Sequence, residues 1–259
     1  MASNIKNILS SFHLKDTLNP KIWELSKDGE MGSMNPKVRN RLLDIAYDFI
    51  DFLGVDIVVS DVVMTGSLSN YNWSDYSDVD LHIITDFGLF SKSELPLYKD
   101  LFTLKKTIYN DKHNITIYGY DVELYVQDEN ESHFSSGEYS VLFDEWKTKP
   151  KKENVKIDTN LIKNKAEQWM STIDNIIEQA KEESLEDAKA LVGKYKDKLK
   201  KYRTAGLEKG GEYSNENLVF KVLRRNGYIE KLFDSINQNI DKKLSMDEIN
   251  KKSKNTSEN

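Results

Sequence analysis

Hydrophobic positions first fall into a helical rhythm after Asn35-Pro36, where a capping residue precedes a proline suited to the first turn of a helix. Leu42, Ile45, Ala46, Phe49 and Leu53 recur three and four residues apart, which predicts a helix with one buried face, closed by Gly54. The next apolar run, Asp56 to Met64, is short and β-branched and predicts a strand. Asp78 to Thr85 (DVDLHIIT) predicts another, Ser91 to Asn110 a helix, and ITIYGYDVELYVQ, from Ile115, one or two more strands. Strands alternating with helices predict a mixed layer of sheet and helix. The small polar segment SHFSSGEYS, with His133, Ser135, Ser136 and Tyr139, reads as a loop.

After Pro150 the pattern is helical only. Leu161, Ile162, Trp169, Ile173, Ile176, Ile177 and Ala180 form one apolar stripe. Leu185, Ala188, Leu191, Val192, Tyr195, Leu199 and Tyr202 form another, opened by Ser184 and Asp187 at capping-box spacing. The turn GLEKGGEYS then leads to a third helix, capped by Ser214, with a stripe from Leu218 to Ile236. The fold class is therefore α+β: a mixed β-sheet core with helices, followed by an all-α helical domain. Its expected divisions are an N-terminal extension (1–34), the core (35–150), the helical domain (151–245) and a disordered tail (246–259), the last because it is nearly devoid of apolar residues.

Composition narrows the function classes. In 259 residues no apolar run approaches the roughly 20 that a bilayer span needs, so no membrane role is expected. The N-terminus lacks the uninterrupted apolar stretch of a secretory signal, and a cytoplasmic location is expected. The absence of Cys removes disulfides, thiolate metal sites and Cys nucleophiles together, and four His are too scattered for a His-built metal cluster. Net charge, −6 for the whole chain, is unevenly spread. Asp51 to Trp146 holds 18 acidic against 5 basic residues, whereas Lys147 to Lys231 holds 14 against 20. An acidic middle and a basic later half point to bound cations in one and bound anions in the other.

One segment carries recognisable chemistry: TGSLSNYNWSDYSDVDLHII, Thr65 to Ile84. Gly66-Ser67 follows a strand directly, where backbone N–H groups and a hydroxyl can hold phosphate oxygens. Asp78 and Asp80 lie two apart on a strand and therefore share a face, while Val79 and Leu81 turn to the core. Two adjacent carboxylates repel unless a cation lies between them, and a hard divalent ion such as Mg²⁺ or Mn²⁺ suits oxygen ligands that bridge to phosphate. Glu123, between Val122 and Leu124, is presented by the same alternation on a later strand. It is preferred to Asp121, which adjoins the Gly119-Tyr120 turn, as the third acid of a two-ion site.

In this order and spacing Gly66, Ser67, Asp78, Asp80 and Glu123 resemble the signature of the polymerase β-like nucleotidyltransferase superfamily. More narrowly, GSLSNYNWSDYSDVDLH and AGLEKGGEYSNENLVFKVLRRNGY resemble a group of uncharacterised nucleotidyltransferases from phage and metagenomic sequences. The resemblance implies transfer of NMP from an NTP to an acceptor hydroxyl with release of pyrophosphate. It also implies two Mg²⁺ or Mn²⁺ ions on the three acids, and β/γ-phosphates held at Gly66 and Ser67. A helical domain that closes over the nucleotide is implied as well, with Lys201, Arg203 and Arg224 meeting the triphosphate.

The basic helices favour RNA, such as a tRNA-like 3′ end, as the acceptor. A small hydroxylated molecule is the second reading and a protein side chain the third. A non-catalytic nucleotide-binding module is the alternative from another class. His82 continues the face of Asp78 and Asp80, Ser77 can orient Asp78, and Tyr71 or Trp73 can stack on a base, though each also has a purely structural reading. Lys198, Lys200, Lys201 and Arg203 at the end of one helix, and Lys221, Arg224 and Arg225 further along, read equally well as a solvated helix face or as phosphate contacts. No acid is placed to make a Ser-His hydrolase of His133 and its neighbouring serines.

Overall fold

A computed structural model describes residues 2–25, 32–131, 135–152 and 154–245. The expected disordered tail and His133 lie outside the described residues. The chain divides into two compact units, Ser11–Val155 and the combination of Met1–Ser10 with Lys156–Asn259. The first helix, α1 (Ala2–Ser10), thus belongs with the C-terminal helices and packs on two of them.

The second helix, α2 (Pro36–Leu53), begins the regular part of the sheet unit as its sequence predicts. Asn35 accepts a hydrogen bond from the Lys37 amide, Pro36 fills the first turn, and Gly54 ends the helix in the left-handed region at φ 69°. There follow β1 (Val59–Thr65), β2 (Val79–Thr85), α3 (Leu95–Lys112), β3 (Thr116–Ile117), β4 (Tyr120–Asp128), β5 (Glu138–Ser140) and β6 (Glu145–Thr148). The six strands form one mixed sheet in the order β3-β4-β2-β1-β5-β6. Only β2 and β4 pair in parallel; α3, in the chain between them, provides the long connection that parallel pairing requires. Tyr118 (φ 51°) and Gly119 (φ 90°) turn the β3-β4 hairpin, both in the conformation of a two-residue type I′ turn.

Val62 and Met64 of β1, Val79, Leu81 and Ile83 of β2, and Val122 and Leu124 of β4 pack with α2 and with Phe102 and Tyr109 of α3 in one core. The intervening residues of β2 and β4 face the other way. One element of this unit departs from the sequence reading. The SHFSSGEYS segment yields β5 rather than a loop, and Tyr139 in it is buried edge-on against Trp23 and Trp146. Residues before α2 also enter this core: Leu18, Ile22 and Trp23 are buried, and the Trp23 indole N–H donates to the Leu68 carbonyl at 2.8 Å.

The helical unit contains α4 (Thr159–Glu182), α5 (Leu185–Gly210), α6 (Asn215–Arg225) and α7 (Tyr228–Leu244). Asp158 caps α4 and Ser184 caps α5, the latter through the Asp187 amide as its spacing predicts. The single third helix expected after Ser214 is two. Gly227, at φ 72°, breaks it, and the Asn226 side chain donates to the Val222 carbonyl at 2.8 Å. The apolar rhythm runs through the break because α6 and α7 both bury their apolar faces against α4 and α5. Among the described residues no helix is long and apolar enough to cross a membrane.

Candidate metal centre

Sheet register builds the site. In β2 the alternation that buries Val79 and Leu81 leaves Asp80 and His82 on the opposite face, with Asp78 just before the strand. In β4 it buries Val122 and Leu124 and turns Glu123 and Tyr125 the same way. The parallel pairing sets Asp80 opposite Glu123. One ligand oxygen from each of Asp78, Asp80 and Glu123 then lies within 4.8 Å of the other two, and all three residues are partly buried.

Such a spacing is unfavourable without a counter-charge. At about 4.8 Å and an effective dielectric of about 20, each carboxylate pair repels by on the order of 3 kcal/mol. Oxygen ligands about 2.1–2.5 Å from a hard divalent cation are separated by distances of this size, so the triad fits one or more such ions. Among the described residues this is the one cluster of acids or histidines close enough to hold a metal ion.

Beside the acids on the other side lies the turn after β1. Thr65 pairs with Asp80, so Gly66 is the next residue along and meets the Asp80 side chain directly. Its φ of 78° and ψ of −163° are a conformation for glycine, and a Cβ placed on it would come within 1.9 Å of Asp80 Oδ2. Ser67 opens a short 3₁₀ turn, and its hydroxyl donates to Ser77 Oγ at 2.8 Å. Ser77 also accepts from the Ser74 amide, so its role here is to hold the Gly66-to-Asp78 connection in shape.

Three side chains that the sequence reading did not single out support the centre. Tyr125, two residues beyond Glu123, donates its hydroxyl to Glu123 Oε2 at 2.5 Å. Burial first, then that hydrogen bond and the charges of Glu123, Asp80 and Asp78, push its pKa far above the usual tyrosine range, so the hydroxyl stays a donor. Lys106 reaches from α3 to place Nζ 3.8 Å from the centre of the Tyr125 ring. Burial lowers its pKa below the ordinary lysine value, while Glu123 and Asp80 act in the opposite sense by favouring its charge. Asn110, one turn further along α3, accepts from the Leu124 amide at 3.3 Å and donates to the Leu124 carbonyl at 3.4 Å. It thereby satisfies β4 where β3 has ended.

Of the other expected residues, His82 lies on the acid-bearing face, stacks on Tyr125 at 4.9 Å and contacts Gln127 Oε1 through Nδ1 at 2.5 Å. The Trp73 indole donates to the Thr17 carbonyl, and the Tyr71 carbonyl accepts from the Lys15 amide. Both aromatic residues therefore fasten the N-terminal segment to the core. Ser136 accepts from Asn70 at 2.5 Å, and Ser135 donates to the Gly137 carbonyl at 3.0 Å. Lys201, Arg203 and Arg224 all belong to the helical unit: Lys201 and Arg203 are exposed on α5 and Arg224 on the last turn of α6.

No protein-family model, no curated protein and no solved structure matches this chain, so its chemistry is read from the centre itself: an acidic cluster on an α+β fold, its carboxylates close enough together to hold a metal ion.

Proposed function

We propose that the protein is a metal-dependent nucleotidyltransferase that moves NMP from an NTP to an acceptor hydroxyl and releases pyrophosphate. The observation that carries this reading is the convergence of Asp78, Asp80 and Glu123 on one sheet face directly beside the Gly66-Ser67 turn. Two Mg²⁺ or Mn²⁺ ions, when bound, would activate the acceptor hydroxyl and neutralise charge at the phosphorus under attack. Asp78 and Asp80 would ligate both, and Glu123 the ion on the acceptor side. Gly66 presents no side chain, which leaves the turn open to the β- and γ-phosphates, and Ser67 offers its hydroxyl and backbone there. Tyr125 holds the Glu123 carboxylate in one orientation, and Lys106 offsets part of the negative charge. An RNA 3′ hydroxyl is the proposed acceptor, on the strength of the basic helical unit.

The test is transfer of label from each α-labelled NTP to RNA, with protein and metabolite extracts as parallel acceptors. Asp80→Asn should abolish transfer and weaken Mn²⁺ binding in calorimetry while circular dichroism stays unchanged. Transfer at the wild-type rate by a folded Asp80→Asn protein would refute the assignment.

A further inference from the structure

A second line of apolar side chains runs along α3, outside the core. Phe102 and Tyr109 face inward, whereas Leu97, Leu101, Leu104 and Ile108 recur at steps of four, three and four residues and so form one stripe of the helix. Leu97 is 70% exposed and Leu104 59%, and Leu101 and Ile108 are half-buried on the same line. Single exposed leucines are ordinary, but a continuous aliphatic stripe about 16 Å long marks a surface made to be covered. We propose that it joins two copies of this chain, α3 against α3, in an antiparallel pair about a two-fold axis between Leu101 and Leu104.

Three observations select a second copy as the occupant. The spacing of the stripe reads the same in both directions, so an antiparallel copy sets Leu97 against Ile108 and Leu101 against Leu104, apolar on apolar throughout. Glu94 and Lys112, both exposed, bound α3 at its two ends and are separated by a whole number of turns, so they flank the stripe on one side. In the antiparallel pair each Glu94 meets Lys112 of the other copy and the helix dipoles oppose; a parallel pair sets like charge on like. The chain itself has little to lay on the stripe: residues 246–259 offer only Met246 and Ile249 as apolar side chains, and the shorter stretches 26–31 and 132–134 offer Met31 and Phe134. Lys106 and Asn110, which reach β4 and Tyr125, project from the opposite side of α3, so the pairing does not engage them. The dimer therefore stands whether or not the acidic centre transfers nucleotides. Paired helices about 27 Å long bury less than the roughly 800 Å² per partner of a stable complex, which sets the expected dissociation constant at about 10–100 μM.

The test is sedimentation velocity of the full chain over about 1–300 μM, in EDTA so that no metal bridges two acidic centres. Wild type should pass from monomer to dimer across this range. Leu104→Gln, beside the axis, should weaken the dimer by about tenfold or more with the melting temperature of the dilute monomer unchanged. Leu97→Gln should act in the same direction and gives a second reading if Leu104→Gln does not fold. Because the chain has no cysteine, orientation can be read by cross-linking. A short bismaleimide should join a Glu94→Cys copy to a Lys112→Cys copy, and should not join two Glu94→Cys copies, whose thiols lie about 27 Å apart in the antiparallel pair. A wild type that stays monomeric throughout, dimerisation unchanged in both glutamine variants, or cross-linking of Glu94→Cys to itself without the mixed product would each overturn the proposal.

Discussion

Replacing Gly66 by alanine separates the geometry of the centre from the stability of the fold. The backbone at Gly66 lies in a region open essentially to glycine alone, and holding alanine there costs about 1–3 kcal/mol. The added Cβ would also lie 1.9 Å from Asp80 Oδ2, closer than the roughly 3 Å that a carbon needs. The Asp80 carboxylate must therefore retreat by about 1 Å or rotate away, and a displacement of that size in a reacting centre costs on the order of 100-fold in rate. Gly119→Ala is the control. Gly119 also has a positive φ, 90°, but nothing lies within 4 Å of its would-be Cβ, so only backbone strain is introduced. In urea unfolding both variants should lose stability, by about 1–3 kcal/mol for Gly66→Ala and by about 1–2 kcal/mol for Gly119→Ala. In calorimetric Mn²⁺ titration Gly119→Ala should match wild type and Gly66→Ala should bind far more weakly. Equal Mn²⁺ affinity in Gly66→Ala and wild type would show that the turn does not set the position of Asp80.

Tyr125→Phe keeps the ring beside Lys106 and His82 but removes the donor to Glu123; Mn²⁺ affinity should fall by about tenfold with little change in melting temperature, and an unchanged affinity would deny the tyrosine its orienting role. Tyr139, whose pKa burial pushes up from 10.0 to about 12, is held neutral in the folded state. Its contribution is complete below about pH 10 and is lost as the pH rises toward about 12. The loss of unfolding free energy between pH 9 and pH 11.5 should therefore be smaller in Tyr139→Phe than in wild type, and equal losses would count against this account.

Much of the centre was legible in the sequence because a strand alternates with period two: once Val79, Leu81, Val122 and Leu124 are assigned to the core, Asp78, Asp80 and Glu123 can only face away from it. What alternation does not carry is register. Asp80 and Glu123 are adjacent only because β2 and β4 pair in parallel across a connection containing α3. Tyr125 was within reach of the same reasoning, being two residues from Glu123. Lys106 and Asn110 were not, since their roles depend on side chains of α3 reaching the exposed edge of β4. Strands β5 and β6, at three and four residues, are too short to display a periodicity, and Tyr139 is buried through aromatic contacts distant in sequence. Among the helices the Asn226-Gly227 break was written in the sequence but masked by an apolar rhythm that continues through it.

The pairing of Asp80 with Glu123 also governs when the centre can come into being. A slip of β4 by one residue would turn Glu123 inward and expose Val122 and Leu124, so the nonpolar interior and the acid cluster share a single alignment. That alignment joins segments some forty residues apart, and closing so long a loop is slow compared with forming either strand's neighbouring turn. Partly folded chains would then have no high-affinity site, and uptake of a luminescent lanthanide during refolding would mark the arrival of native β2-β4 pairing rather than the earlier collapse.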